Sequence, residues 1–170
     1  MKRYFLIGIL FLTFFKLNAQ ENSIKKNAFN VELAGSGLLY SLNYDRLLII
    51  DNRMRFTMNV GTWYIPYVET ISDFNYMLGV VVGVNTLFGK QTHFLELGIN
   101  VSYMNMKDME DNYFHTAYLP IRLGYRYQKD EGGLFFRASL MPIVAIIQDV
   151  DAEFLYPVTP HFALGLGYSF

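Results

Sequence analysis

Residues 162–170 read Phe-Ala-Leu-Gly-Leu-Gly-Tyr-Ser-Phe, so a large apolar or aromatic side chain alternates with a small one along the whole stretch. Alternation with a period of two is typical of a β-strand, because successive side chains of a strand point to opposite faces of the sheet. One face of this segment is apolar, and the other carries only Ala, Gly and Ser. The pattern predicts a strand whose two faces lie in different environments.

The same alternation occurs in seven further segments from Ala28 onward, separated by turn-forming or polar stretches. Their apolar rows are Phe29, Val31 and Leu33; Tyr40, Leu42 and Tyr44; Met54, Phe56, Met58 and Val60; Leu78, Val80, Val82 and Val84; Leu95, Leu97, Ile99, Val101 and Tyr103; Leu119, Ile121, Leu123, Tyr125 and Tyr127; and Leu134, Phe136, Ala138 and Leu140. The run Leu47 to Ile50 breaks the alternation. Eight such segments predict an all-β fold, an eight-stranded antiparallel up-and-down barrel.

The connections between these segments alternate between short and long, as such a barrel requires. Asp51-Asn52, Gly89-Lys90-Gln91 and residues 129–132 are short turns, whereas residues 64–75, 106–116 and 148–157 form longer, more polar connections. In membrane barrels the short turns lie at the periplasmic end and the long loops outside the cell. Gly35-Ser36-Gly37 is unusually short for the outer end.

The charged residues within the segments decide which face meets lipid. Seven of them share the phase of the small residues, and an Arg that faced lipid at the midplane would cost roughly 2–4 kcal/mol. They are predicted to point into the lumen and to pair there, since the fork of Arg suits carboxylates. An eight-stranded interior is filled by side chains, so a plugged transmembrane barrel is expected. The predicted lumen ion network consists of Glu32, Asp45, Arg55, Glu96, Arg122, Arg126 and Arg137.

Composition agrees with a barrel in a membrane. Hydrophobic residues make up 52% of the 170-residue chain and charged residues only 17%, against about 25% charged in average soluble domains. After residue 17 no stretch approaches the roughly 18–20 apolar residues of a membrane-spanning helix. The net charge of −1 indicates no nucleic-acid partner. The absence of Cys excludes disulfides, thiolate metal sites and a lipidated Cys anchor.

The first residues are typical of an export signal. Lys2 and Arg3 precede an apolar core from Tyr4 to Phe15, and Leu17-Asn18-Ala19 offers a cleavage site before Gln20. The alternative is an uncleaved membrane anchor, but the apolar core is shorter than a span. The expected organisation is a cleaved signal peptide over residues 1–19, a short periplasmic segment over 20–27 and a transmembrane barrel over 28–170.

This architecture resembles the small outer-membrane barrels typified by the OmpA transmembrane domain and OmpX. The resemblance covers Ala28 to Phe170. It implies the outer membrane of a Gram-negative bacterium, contact with its lipid and lipopolysaccharide, and insertion by the barrel-assembly machinery. The assembly signal that it implies is carried by Leu164, Leu166, Tyr168 and Phe170. The short first loop departs from the pattern of relatives that act in surface adhesion.

A soluble, lipocalin-like barrel is the main alternative fold, because Gly61-Thr62-Trp63 matches the Gly-x-Trp of that family. Lipocalins, however, bury their apolar row and expose their polar row, the reverse of the facing that the charged residues indicate. We therefore interpret Trp63 as part of an aromatic belt at the outer interface, together with Tyr64, Tyr67 and Tyr76.

No constellation for catalysis or for a cofactor emerges. His93, His115 and His161 fall at different strand ends and lack metal-binding spacing. The positions two residues after them are Leu95, Ala117 and Ala163, so the His-x-Ser pattern of deacylase barrels is missing. A barrel of the palmitoyl-transferase type needs an apolar lumen to measure an acyl chain, and here Arg122, Arg126 and Glu96 would occupy that lumen.

Two acidic connections could hold a divalent cation beside lipopolysaccharide, although solvated loop charges explain them more simply. Their acids are Asp108, Glu110 and Asp111 in one, and Asp149, Asp151 and Glu153 in the other. The sequence favours a monomeric, non-enzymatic envelope protein. The alternatives are a narrow conduit or binding barrel for small apolar molecules and a lipid-modifying enzyme.

Overall fold

The computed structural model describes residues 24–51, 53–66, 74–148 and 158–170. Nearly all of these residues lie in one antiparallel sheet. Its strands are β1 (Asn27–Ala34), β2 (Tyr40–Ile50), β3 (Met54–Pro66), β4 (Phe74–Lys90), β5 (His93–Asp108), β6 (Tyr113–Tyr127), β7 (Gly133–Leu140), β8 (Ile143–Gln148), β9 (Val158–Thr159) and β10 (Phe162–Ser169), with a 3₁₀ turn over Gly35–Gly37.

The sheet closes into a barrel of eight strands. Each strand from β1 to β6 pairs with the next, β6 pairs with both β7 and β8, and β10 pairs with β7 on one side and with β1 on the other. β7 and β8 are two parts of the seventh barrel strand, and β9 and β10 are two parts of the eighth. The predicted eight-stranded antiparallel barrel is confirmed. Within the described ranges, no helix is long and apolar enough to cross a bilayer.

The seventh strand divides at Pro142, which has no N–H to give to a neighbouring strand. Pairing nevertheless continues across the break. The Pro142 carbonyl accepts the Ile121 N–H at 2.9 Å, and the Met141 N–H donates to the His161 carbonyl at 2.8 Å. The interruption therefore divides the strand without opening the barrel.

A β-bulge explains the run Leu47 to Ile50. Leu47 pairs with Thr57 and Ile49 with Phe56, so Leu48 is an extra residue in β2. Leu47 is buried, whereas Leu48 and its successor Ile49 are 55% and 58% exposed. Two consecutive side chains thus face outward, which breaks the alternation in the sequence.

The facing of the two rows is as predicted. The apolar row lies on the outside, where Val84 is 59% and Leu166 is 60% exposed. The small and charged row is enclosed, with Glu96 and Arg126 at most 1% exposed. This is the reverse of a soluble barrel, so the lipocalin-like alternative is excluded.

Trp63 does not belong to the aromatic belt, and that prediction is wrong. Its side chain is 2% exposed and points into the lumen, against Gly79, where an added Cβ would overlap the indole. Trp63 is two residues after Gly61 and shares its inward phase, so the alternation itself carried the correct signal. Tyr64 and Tyr76 do stack outside, with ring centroids 6.2 Å apart; Tyr67 lies outside the described residues.

The predicted long connection over residues 106–116 is wrong, because β5 runs to Asp108 and β6 begins at Tyr113, which leaves only residues 109–112 between them. The other predicted connections differ in how far the structure describes them. Gly89 to Gln91 form a short turn in which Gln91 has φ 60°, and Gly132 has φ 90° in the turn after β6. Asn52, residues 67–73 and residues 149–157 lie outside the described part of the chain. We call the end of the barrel that carries the short turns the short-turn end, and the opposite end the long-loop end.

Candidate functional site: the closed lumen

The middle of the lumen holds six buried charges. We call them the ion cluster: Glu32, Asp45, Glu96, Arg122, Arg126 and Arg137, each at most 3% exposed. Arg122 reaches Glu32 at 2.7 Å, and Arg126 reaches Asp45 at 2.8 Å and Glu96 at 3.5 Å. Three carboxylates balance three guanidinium groups, which is the arrangement that buried charges require.

Arg137 is the centre of this cluster because it contacts all three acids. Its nitrogens lie 3.2 Å from Asp45, 3.4 Å from Glu96 and 3.5 Å from Glu32. It also donates to the side-chain oxygen of Asn30 at 2.6 Å. The guanidinium group therefore crosslinks β1, β2 and β5 from its place on β7.

Arg55 points inward, as predicted, but it does not contact the ion cluster, so the prediction that all seven charged residues form one network is wrong. Its two terminal nitrogens form a bidentate ion pair with the carboxylate of Asp130 in the turn after β6, at 2.6 and 3.1 Å. Its guanidinium carbon lies 4.5 Å from the centre of the Phe94 ring. Arg55 lies only two residues into β3, so it closes the short-turn end of the barrel instead.

An apolar layer lies between Arg55 and the ion cluster. It consists of Leu47, Leu87 and Phe94, against which Ile24 and Ile50 pack. The segment before β1 is held there by its backbone: the Lys25 N–H donates to the Asp130 carbonyl at 2.8 Å, and the Lys26 carbonyl accepts the Leu47 N–H at 2.7 Å. Residues 24–26 therefore pack across the mouth of the barrel at this end.

A larger apolar layer fills the lumen toward the long-loop end. We call it the upper apolar cluster: Trp63, Ile65, Met77, Val81, Met104, Met106, Tyr118 and Ile143, each at most 4% exposed. The alternating pattern did not predict this cluster, because most of its residues lie just beyond the alternating segments of the sequence. Continuing the inward phase of each strand by a few residues would have found them.

The connection between β1 and β2 is not a surface loop, since it folds into the lumen. We call Gly35-Ser36-Gly37 the inward turn; Ser36 is 1% exposed. Its N–H donates to the Glu32 carboxylate at 3.3 Å, and its carbonyl accepts hydrogen bonds from Ser102 Oγ at 3.0 Å and Tyr118 Oη at 2.8 Å. The inward turn therefore joins the ion cluster to the upper apolar cluster.

The backbone around the inward turn is strained. Ala34 has φ 56° with ψ −141°, and Leu38 has φ 65° with ψ −69°, regions that cost on the order of 1–3 kcal/mol for residues other than Gly. The Leu39 N–H closes a tight turn onto the Gly37 carbonyl at 2.8 Å. The buried hydrogen bonds of Ser36 offset this strain and hold the turn inside.

Replacing Gly35 by Ala is expected to destabilise the barrel. Gly35 has φ +71°, and an added Cβ would overlap the Glu32 carboxylate and lie 2.9 Å from Ala163 Cβ. We expect a loss of about 1–2 kcal/mol for the left-handed backbone, and more from the overlap. Gly133→Ala is the matched control, because Gly133 has φ +100° in open space. Equal losses for both variants, measured by urea unfolding in detergent, would contradict the inward placement of Gly35.

The histidines lie apart from one another. His93 bonds Tyr125 Oη at 2.7 Å, His115 bonds Tyr103 Oη at 2.7 Å, and His161 bonds the Leu38 carbonyl at 3.1 Å. Among the described residues, no three His, Asp or Glu side chains are grouped as metal ligands would be.

The acidic connection after β5 is a turn that satisfies its own polar groups. Asp108 accepts the Glu110 and Asn112 N–H groups at 2.8 and 2.9 Å, and the Asn112 side chain, donating to the same carboxylate, holds the pKa of Asp108 below its usual value. Asp111 pairs with Lys107 at 2.7 Å. Asp149, Asp151 and Glu153 lie outside the described residues.

Among solved structures, the chain is similar to the N-terminal β-barrel domain of Pseudomonas aeruginosa OprF. The TM-score is 0.52 at 15% sequence identity, over 88% of this chain and 98% of that one. The chain has the fold of that domain, a closed antiparallel barrel of eight strands. No protein-family model and no curated protein matches the sequence. At this identity the likeness shows the fold alone and carries no function.

Proposed function

We propose that the protein is an outer-membrane barrel with a plugged lumen that acts without catalysis, in the structure or surface interactions of a Gram-negative envelope. One observation carries the proposal: the exterior is an apolar belt, while the charges of the ion cluster are enclosed. Contiguous exposed apolar surface beyond a few hundred Å² is rare on monomers in water. A bilayer is the solvent in which this exterior is stable.

The filling of the lumen supports the plugged state. From one end to the other, the lumen holds the Arg55–Asp130 pair, an apolar layer, the ion cluster, the inward turn and the upper apolar cluster. A conducting pore would need a continuous polar path, and two apolar layers interrupt it. The proposal extends to residues 1–19 as a signal peptide and to Leu164, Leu166, Tyr168 and Phe170 as the row that the barrel-assembly machinery recognises.

The purified protein is expected to fold in detergent micelles and to migrate differently on gels before and after heating. In planar bilayers we expect no steady single-channel openings, because buried side chains occupy the lumen at several levels. Steady conductance would contradict the plugged lumen, and a folded, monomeric protein that needs no detergent would contradict the membrane location.

The upper apolar cluster favours a second candidate, a binding barrel for small apolar molecules. Its residues are buried, so a ligand would have to displace side chains that already fill the space. Trp63 is the single Trp of the chain and lies in this cluster, and its fluorescence should report such displacement. An unchanged Trp63 spectrum on adding long-chain alcohols to the folded protein would reject this candidate.

A further inference from the structure

The outer wall of the barrel carries a groove of about 790 Å³ that runs from β7 across β10, β1, β2 and β3 to β4. Its lining is apolar and mixes short side chains, Val31, Val60 and Val80, with the longer Phe29, Tyr44 and Tyr168. The short Val side chains therefore leave a shallow depression between the longer ones, in which one chain-like ligand can lie.

The groove rises along the barrel instead of running round it at one level. It begins at Leu134, the second residue of β7 at the short-turn end, and reaches Val80, which lies ten residues before Lys90 at the end of β4. Neighbouring strands are about 4.8 Å apart, so the five steps from β7 to β4 span roughly 24 Å. One leaflet of a bilayer is about 15 Å deep in hydrocarbon. The groove is thus long enough for a whole acyl chain.

A positive charge lies beside this groove, on the side toward the short-turn end. Arg46 follows Tyr44 by two residues on β2 and has the same outward phase, and it is exposed. In the part of the chain that the structure describes, its guanidinium group has no hydrogen-bond or ion-pair partner. Across the strand pair, Arg46 is opposite Asn27, whose side chain accepts a hydrogen bond from Tyr44 Oη at 2.7 Å.

A second basic residue is close by. Lys26 is exposed, and its carbonyl accepts the N–H of Leu47, the neighbour of Arg46. An outward Arg is tolerated at little cost near a membrane interface, and there it can bind phosphate. Arg suits this task because its planar fork can donate two hydrogen bonds to phosphate oxygens.

We propose that this groove is a binding site for an anionic phospholipid, with one acyl chain along Val31, Val60 and Val80 and the phosphate on Arg46. The site rests on the proposed membrane location, since it requires a bilayer around the barrel. Charge selects the occupant: a neutral or zwitterionic lipid would fill the same groove but would gain less from Arg46 and Lys26.

The test uses the full chain folded in detergent micelles that contain phosphatidylglycerol or phosphatidylethanolamine, with bound lipid counted by native mass spectrometry. We expect one phosphatidylglycerol to be retained preferentially. Arg46→Gln should lower its retention about fivefold, the factor expected for one basic residue at an anionic surface. Arg53→Gln is the matched charge control, because Arg53 is exposed in the turn beyond the groove.

A second pair of variants tests whether the groove binds the acyl chain of the lipid. Val31→Phe should fill the groove and lower retention, whereas Val101→Phe should not, since Val101 is similarly exposed on β5 outside the groove. Two results would overturn the lipid site for a barrel that folds normally and shows heat-dependent gel mobility. In the first, the barrel retains both lipids equally; in the second, each variant changes retention as much as its control does. Either result would leave the proposed function unaffected. A lipid-free dimer would also overturn the lipid site. A chain that does not fold in micelles would instead contradict the proposed function.

Discussion

Leu123→Arg is expected to prevent stable insertion of the barrel. Leu123 is 47% exposed, and its strand partners Leu97 and Leu140 are exposed apolar residues as well. The Arg would therefore replace an apolar side chain within the belt, at a cost of about 2–4 kcal/mol toward the midplane. The introduced Arg side chain cannot turn into the lumen, because the direction of a side chain on a strand is set by its phase. We expect loss of the heat-modifiable folded band after refolding into lipid vesicles.

The control for Leu123→Arg is the same substitution at the short-turn end. Leu134 is also exposed and apolar, but it is the second residue of β7, where an Arg can reach the interface at about 0–1 kcal/mol. Leu134→Arg should therefore fold. If Leu123→Arg folds equally well, the belt does not face hydrocarbon and the proposed location is wrong.

Arg137→Met should destabilise the folded barrel by about 3–5 kcal/mol, the usual effect of removing one partner from a buried ionic group. Arg137 contacts Glu32, Asp45 and Glu96, so its loss leaves three buried carboxylates with two guanidinium groups. Met retains much of the volume, so the effect is mainly electrostatic. Urea unfolding in detergent, followed by Trp63 fluorescence, measures it.

Removing the excess charge should restore part of this loss. Glu96 is the acid to neutralise, because without Arg137 it keeps only Arg126, at 3.5 Å, whereas Glu32 and Asp45 keep pairs at 2.7 and 2.8 Å. Glu96→Gln should therefore be less harmful in the Arg137→Met background than alone, a coupling that a double-mutant cycle isolates. Arg55→Met is the control outside the cluster, with an expected loss of about 1 kcal/mol. Strict additivity of the two cluster substitutions would contradict a shared ionic network.

The strands could be predicted well from the sequence, because a strand with two different environments must alternate. The ion cluster residues could also be placed on the inward row, since an Arg toward lipid is costly. Trp63 shows where such reasoning fails. Its residue type favours a membrane interface, where Trp is common, but its phase points inward, and the structure follows the phase.

The sequence by itself determined the number of strands, the outward and inward rows and the short-turn end, because these follow from local periodicity and turn chemistry. Tertiary structure alone decided which inward residues meet. Arg122 and Glu32 are 90 positions apart, and Arg55 and Asp130 are 75; their distances depend on the register with which strands pair and the barrel closes. The inward turn and the two apolar layers have the same origin, since a segment folds into a lumen only where the closed wall leaves room for it.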